Sequence, residues 1–171
     1  YANGALKEID DLRTELASKS IDAIFEKKLK EFVAPSNKMG FYIVEMIENY
    51  LTSQAGVTVA PQSVSQHLEH IMPKKPNSTD WQHVFNDPEY EEHVNKIGNL
   101  LVLEADINRH IKNKGLSYKT NNAENKDYTN SKMRMPADVS NFLDNGNWSF
   151  NSIDNRQEKI VDDYAVLVWP L

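Results

Sequence analysis

The chain has 171 residues, 40% of them hydrophobic, which is enough to bury a core of domain size. No apolar run approaches the roughly 20 residues that a bilayer-crossing helix needs, so no membrane role is expected. The absence of cysteine excludes disulfides, thiolate zinc sites and cysteine nucleophiles and fits a reducing cytoplasm, while a net charge of −6 argues against an evenly basic nucleic-acid binder.

In chain order, the first apolar residues recur at helical spacing: Leu6, Ile9, Leu12 and Leu16, then Ile21, Ile24, Phe25, Leu29 and Phe32, then Phe41, Val44, Ile47, Tyr50 and Leu51. They predict three helices, with a break at Pro35, Ser36 and Asn37 and an end at Gln54, Ala55 and Gly56. The chain opens at Tyr1 with neither Met nor a signal segment, and is expected to be an excised piece of a longer protein. Residues 65–72 form a short expected strand that Pro73 and Pro76 forbid to continue. A long loop follows, in which residues 80–85 and 88–94 read as two short helices. Residues 97–103 are almost continuously apolar and predict a second strand, buried on both faces. Asp106 can cap a helix that runs to Lys114 and stops at Gly115, the residue best suited to a left-handed position. After a polar stretch rich in Asn, Lys and Thr, Ile153, Arg156, Ile160, Tyr164, Leu167 and Val168 mark a terminal helix.

The strand, loop, strand and helix bring together a chemically specific set. Hydrolysis of a phosphodiester needs a base for water, a Lewis acid for the charge that builds on phosphate, and cations for the flanking backbone. His70 is the natural base, because its ordinary pKa leaves the imidazole largely neutral at cellular pH. Glu69 offers a hard oxygen to a metal and Asn108 a second one from the helix. With no thiolates, such a donor set suits one Mg²⁺ or Mn²⁺ ion. Asn99, opening the second strand, is placed to fix His70 by a hydrogen bond. Glu69 and His70 would point to opposite faces of a regular strand, so both serve one centre only if the strand bends or ends there.

Between residues 105 and 134, seven basic side chains (Arg109, Lys112, Lys114, Lys119, Lys126, Lys132, Arg134) outweigh three acidic ones (Asp106, Glu124, Asp127). Lys74, Lys75, Arg109, Lys112 and Lys119 are therefore expected to hold phosphates, with Arg156 reaching DNA or pairing with a nearby acid. Asn113 lies about 140° around the helix from Asn108, a secondary position that buttresses a loop. His110, about 200° around, faces away from the metal. His83 and His93 read as surface or loop residues, His67 as close enough to touch substrate, and Trp81, Trp148 and Trp169 as packing residues.

Glu-His-Ile-x-Pro, a Trp, Ile-Gly-Asn-Leu-x-x-Leu-Glu, Asn108 and Asn113 five apart, and then Lys119 together resemble the C-terminal nuclease domain of GmrSD-type modification-dependent restriction enzymes, one of the HNH or His-Me finger nucleases. The resemblance covers residues 68–119 well and runs more loosely through Tyr128 and Ser131 to Ile153, Arg156 and Trp169. It implies His70 as general base, Asn99 as the residue that positions it, and Glu69 and Asn108 as metal ligands. The acidic neighbour of the histidine is often Asp in that superfamily, so Glu69 is a longer arm. The resemblance further implies DNA as substrate, modified or not, a role in restriction or defence against phage, and an upstream nucleotide-dependent domain as partner.

The expected fold is accordingly α+β and mostly helical. It has a ββα-metal finger over about 65–115 in a nuclease domain of 61–171, a helical bundle or linker over 1–60, and a C-terminal helix. The expected activity is that of a metal-dependent DNA endonuclease or nickase. Two other readings stand beside it: a catalytically silent nucleic-acid-binding or regulatory module with the finger's shape, and a helical assembly domain.

Overall fold

Five residues on either side of the long loop build a two-stranded antiparallel sheet in the computed structural model of the chain, which describes residues 21–55 and 65–170. Strand β1 (Gln66–His70) pairs with β2 (Leu100–Glu104) in the register Gln66 to Glu104 through His70 to Leu100. Every residue of β2 is buried, which accounts for the apolar run Leu100–Leu103, and the buried carboxylate of Glu104 that ends it is satisfied by Ser131 and the N–H of Lys132. Around the sheet the fold is α+β and mostly helical, and no described helix is long and apolar enough to cross a membrane. The helix expected over residues 6–16 lies outside the described residues.

Helices α1 (Ile21–Lys30) and α2 (Asn37–Gln54) form where the apolar spacing predicts them. Ser36 caps α2 by accepting the backbone N–H of Met39 at 3.2 Å. Ile43, Val44 and Ile47 of α2 join one core with all the apolar residues of β2, and α2 packs directly on that strand. A single-turn α3 (Tyr90–His93) lies in the long loop, and α4 (Ala105–Ile111) follows β2 at once. Helix α5 (Leu116–Thr120) leads into two 3₁₀ segments, Tyr128–Asn130 and Met135–Phe142. The chain closes with α6 (Phe150–Val168), whose first turn is fixed by reciprocal bonds between Ser149 and Ser152.

Three local expectations are corrected. Residues 80–85 form turns rather than a helix. The Asn77 side chain accepts from the N–H groups of Thr79 and Asp80 at 3.1 and 2.7 Å, a local bond that competes with a helical ladder. Ile97–Asn99 is a 3₁₀ turn, so the second strand starts three residues late. Helix α4 ends at Lys112, which takes φ 46° and ψ −129°, while Gly115 has φ −61°. Gly115 serves close packing instead: a Cβ there would stand 3.1 Å from that of Asp80.

The C-terminal helix is stitched to the sheet by polar side chains. Gln157 donates to the carbonyls of Leu29, Lys30 and Phe32, satisfying the end of α1, and accepts from the N–H of Gly98. Arg156, fully buried, donates Nη1 to the carbonyls of Gly98 at 2.8 Å and Leu100 at 3.1 Å, and Nε to Asp138 at 3.1 Å. Gly98 sits so close to α6 that a Cβ built on it would drive into the Ile153 carbonyl and reach 2.9 Å from the Gln157 nitrogen. Gly98→Ala is expected to cost about 3 kcal/mol or more, because backbone on both sides must move. Thermal unfolding checks this, and an unchanged midpoint would show that α6 does not press on the 3₁₀ turn.

Candidate functional site

Strand β1 ends because its last bonds are taken over by one side chain. Asn99 Oδ1 accepts from the N–H of Met72 at 2.8 Å, and its Nδ2 donates to the carbonyls of Met72 and Val94, each at 2.9 Å. Trp148 Nε1 donates to the same Oδ1 at 3.1 Å, and the Asn99 carbonyl accepts from Ile71. Asn99 is therefore a fully buried clasp that turns the chain after His70, and it makes no bond to the His70 ring. Its predicted contact with the imidazole is corrected: the partner is Asn95, whose Oδ1 lies 3.2 Å from His70 Nε2. A carbonyl oxygen there keeps the proton on Nε2 and leaves Nδ1 as the basic nitrogen of the neutral ring.

With the strand ended, Glu69 and His70 both line one open cleft of about 190 Å³, with Lys74, Asn108, Lys112 and Asn113 around it. Burial brings the His70 pKa down from 6.5 to about 4; the charges of Lys74 and Lys119 push the same way, and the bond to Asn95 opposes them. The ring is thus neutral throughout the physiological range.

Glu69 is buried at the back of the cleft. Its Oε1 accepts from Lys119 Nζ at 2.6 Å and from Tyr128 OH at 2.9 Å, and its Oε2 accepts from Asn108 Nδ2 at 2.9 Å. Desolvation pushes the carboxyl up from its ordinary value and the Lys119 ammonium down, while their mutual attraction resists both.

Lys119 has no exposed surface, and its three protons go to Glu69, the His70 carbonyl at 2.9 Å and the Ile71 carbonyl at 3.0 Å. It also lies over the Trp81 ring, 5.9 Å from the centroid. The expectation that Lys119 holds phosphates is therefore corrected, since its charge is spent on Glu69 inside the fold, and of the two readings of Arg156 the structure has the pairing with an acid, Asp138, in place of a reach toward DNA.

Lys74, Lys75, Arg109 and Lys112 are exposed, and Lys74 reaches Asn37 Oδ1 at 2.6 Å across the cleft mouth. Asn113 buttresses the loop through its carbonyl, which accepts from Trp81 Nε1 at 3.2 Å and Asn77 Nδ2 at 3.0 Å. His110 stacks on Tyr118 and shares a 2.9 Å bond with its hydroxyl. Trp81 and Trp148 are buried in the core, and Trp169 meets Phe25 edge to face.

Two side chains that touch the key residues, Asn95 and Tyr128, carry no role in the sequence reading. Asn95 has no periodic signal, because it follows a single helical turn. Tyr128 and Lys119 bond to a residue 50 or more positions away, which spacing does not reveal. A faint signal existed for Lys119: it falls three residues after Leu116 on a short helix, the spacing of a shared face.

Among the described residues no three His, Asp or Glu side chains converge to cage a metal. Glu69 and Asn108 nevertheless place a carboxylate and an amide in contact on the cleft wall. In that contact the Asn108 Nδ2 donates, so the hard donors open to a cation are the Glu69 carboxylate and the Asn108 Oδ1, and completed by water they suit a Mg²⁺-like ion, which keeps several waters and takes one or two carboxylates from a protein.

The sequence profile of the family described as GmrSD restriction endonucleases, C-terminal domain, matches residues 11–163. No curated protein matches the chain.

Proposed function

This chain belongs to the family of GmrSD restriction endonuclease C-terminal domains, and on that premise we propose that it hydrolyses DNA phosphodiester bonds in the cleft at the end of β1. In this reading β1, β2 and α4 are the ββα-metal finger of an HNH nuclease, residues 61–171 carry the chemistry, and α1 and α2 of the preceding segment 1–60 support it. The observation that supports it most is the meeting of Glu69, His70 and Asn108 on one open cleft, although Asn108 lies 39 residues from Glu69.

His70, held through Nε2 by Asn95, takes a proton on Nδ1 from a water that attacks phosphorus in line. Glu69 and Asn108 would hold one Mg²⁺ or Mn²⁺ ion, which would supply Lewis-acid stabilisation of the charge that builds on phosphate and on the departing 3′ oxygen. The product keeps a 5′-phosphate. Lys74, Lys75, Arg109 and Lys112, all exposed, neutralise phosphates on either side. Modified DNA is the proposed substrate class, met in the cytoplasm, with an upstream nucleotide-dependent domain governing access.

The full-length protein is expected to relax or linearise supercoiled plasmid with Mg²⁺ or Mn²⁺ and to leave it intact in EDTA. Equal cutting in EDTA would sink the cation assignment. Intact plasmid in every condition, with modified and unmodified DNA alike, would favour a silent binding module.

A further inference from the structure

The two oxygens of Glu69 have unequal surroundings. Oε1 is engaged on the side away from the cleft by Lys119 Nζ at 2.6 Å and Tyr128 OH at 2.9 Å, both buried side chains that are no part of the cleft lining. Oε2 is the oxygen that meets Asn108. Two donors converging on one oxygen fix the rotation of a carboxylate about its last bond, which otherwise lets either oxygen face the ligand. The Lys119 ammonium also holds the His70 and Ile71 carbonyls, so one buried charge ties the side chain of the acid to the backbone of the neighbouring base.

We propose that Lys119 and Tyr128 are positioning residues that lock Glu69 with Oε2 presented beside Asn108, and so set the affinity of the site for its divalent cation. They touch neither DNA nor cation. The inference rests on the reading of Glu69 as a metal ligand and adds the residues that aim it. Partners behind a metal ligand typically change metal affinity 10–100-fold when removed.

Tyr128→Phe tests this, since it deletes one hydroxyl and keeps the ring that packs in the core. Mn²⁺ binding to the full-length protein, followed by titration calorimetry, is expected to weaken about tenfold or more in the variant. In cleavage assays the half-saturating Mn²⁺ concentration rises by the same factor, and the rate at saturating Mn²⁺ returns toward that of the parent. A folded Tyr128→Phe protein that binds Mn²⁺ as the parent does overturns the positioning role while leaving the nuclease reading intact. A variant that unfolds shows the hydroxyl serving the core alone and overturns it as well. A parent that neither binds Mn²⁺ nor cuts DNA removes the nuclease reading and this proposal with it.

Discussion

Replacing His70 with alanine in the full-length protein is expected to slow DNA cleavage about 10²–10⁴-fold, the usual contribution of a positioned general base. The ring is neutral and held by a single bond to Asn95, so its removal leaves the Glu69 network and the core untouched. A folded His70→Ala protein that cuts as fast as the parent would refute the assignment. The same substitution carries a stability signature in the metal-free protein. The unfolded ring takes its proton near pH 6.5 and the folded one only near pH 4, so the unfolded state binds the extra proton between these values. The stability contribution of the neutral ring is therefore complete above pH 6.5 and is lost as the pH falls toward 4. Thermal unfolding in EDTA over that interval should show a steeper decline for the parent than for His70→Ala. Equal slopes would contradict the burial of the ring.

Lys119→Ala is expected to destabilise the protein by about 3–5 kcal/mol, the range seen when one partner of a buried ion pair is removed. Glu69 would then be left in the interior with Tyr128 and Asn108 as its side-chain donors and no cation beside it, and the carbonyls of His70 and Ile71 would lose the ammonium. For a chain of this size the loss corresponds to a fall in the unfolding midpoint on the order of 10 °C. A paired Glu69→Gln, Lys119→Met variant removes both charges and should recover much of the difference, since a buried pair is weak evidence for net stability. A loss below about 1 kcal/mol for Lys119→Ala, as for an exposed pair, would show that the ammonium is not sealed from water.

Much of this architecture is legible in local patterns. The second strand and the C-terminal helix announce themselves by unbroken and by 3.6-residue apolar spacing, and Pro73 marks where the first strand stops. Pairing Glu69 and His70 with Asn108 is also within reach, because the order strand, long loop, strand and helix is legible and α4 follows β2 at once. What local pattern conceals is where a charge goes. Arg156 stands on the same stripe as Ile153 and Ile160, so its burial could have been read from the helix itself, but charge alone pointed outward. Lys119 is harder, since its partner Glu69 comes 50 residues earlier and a single lysine on a five-residue helix looks solvated. Asn99 shows a different difficulty: it stands in the 3₁₀ turn just before β2, and its partners are the Met72 backbone brought near by the turn after His70, the Val94 carbonyl and the distant Trp148 ring. The end of α4 was misplaced because Gly115 is needed for proximity to Asp80, leaving Lys112 to take the unusual backbone angles.

The support of Glu69 by Lys119 and Tyr128 bears on how portable the finger is. A segment cut to residues 65–115 would keep Glu69, His70, Asn95, Asn99 and Asn108, every side chain given a direct chemical or clasping role. It would lack the only cation that contacts the acid among the described residues, and the hydroxyl beside it. Transplanted alone, such a segment would carry an uncompensated carboxylate in its interior and two strand-end carbonyls without donors. The smallest transferable unit of this site therefore extends at least to Tyr128, some way past the last residue of the finger itself.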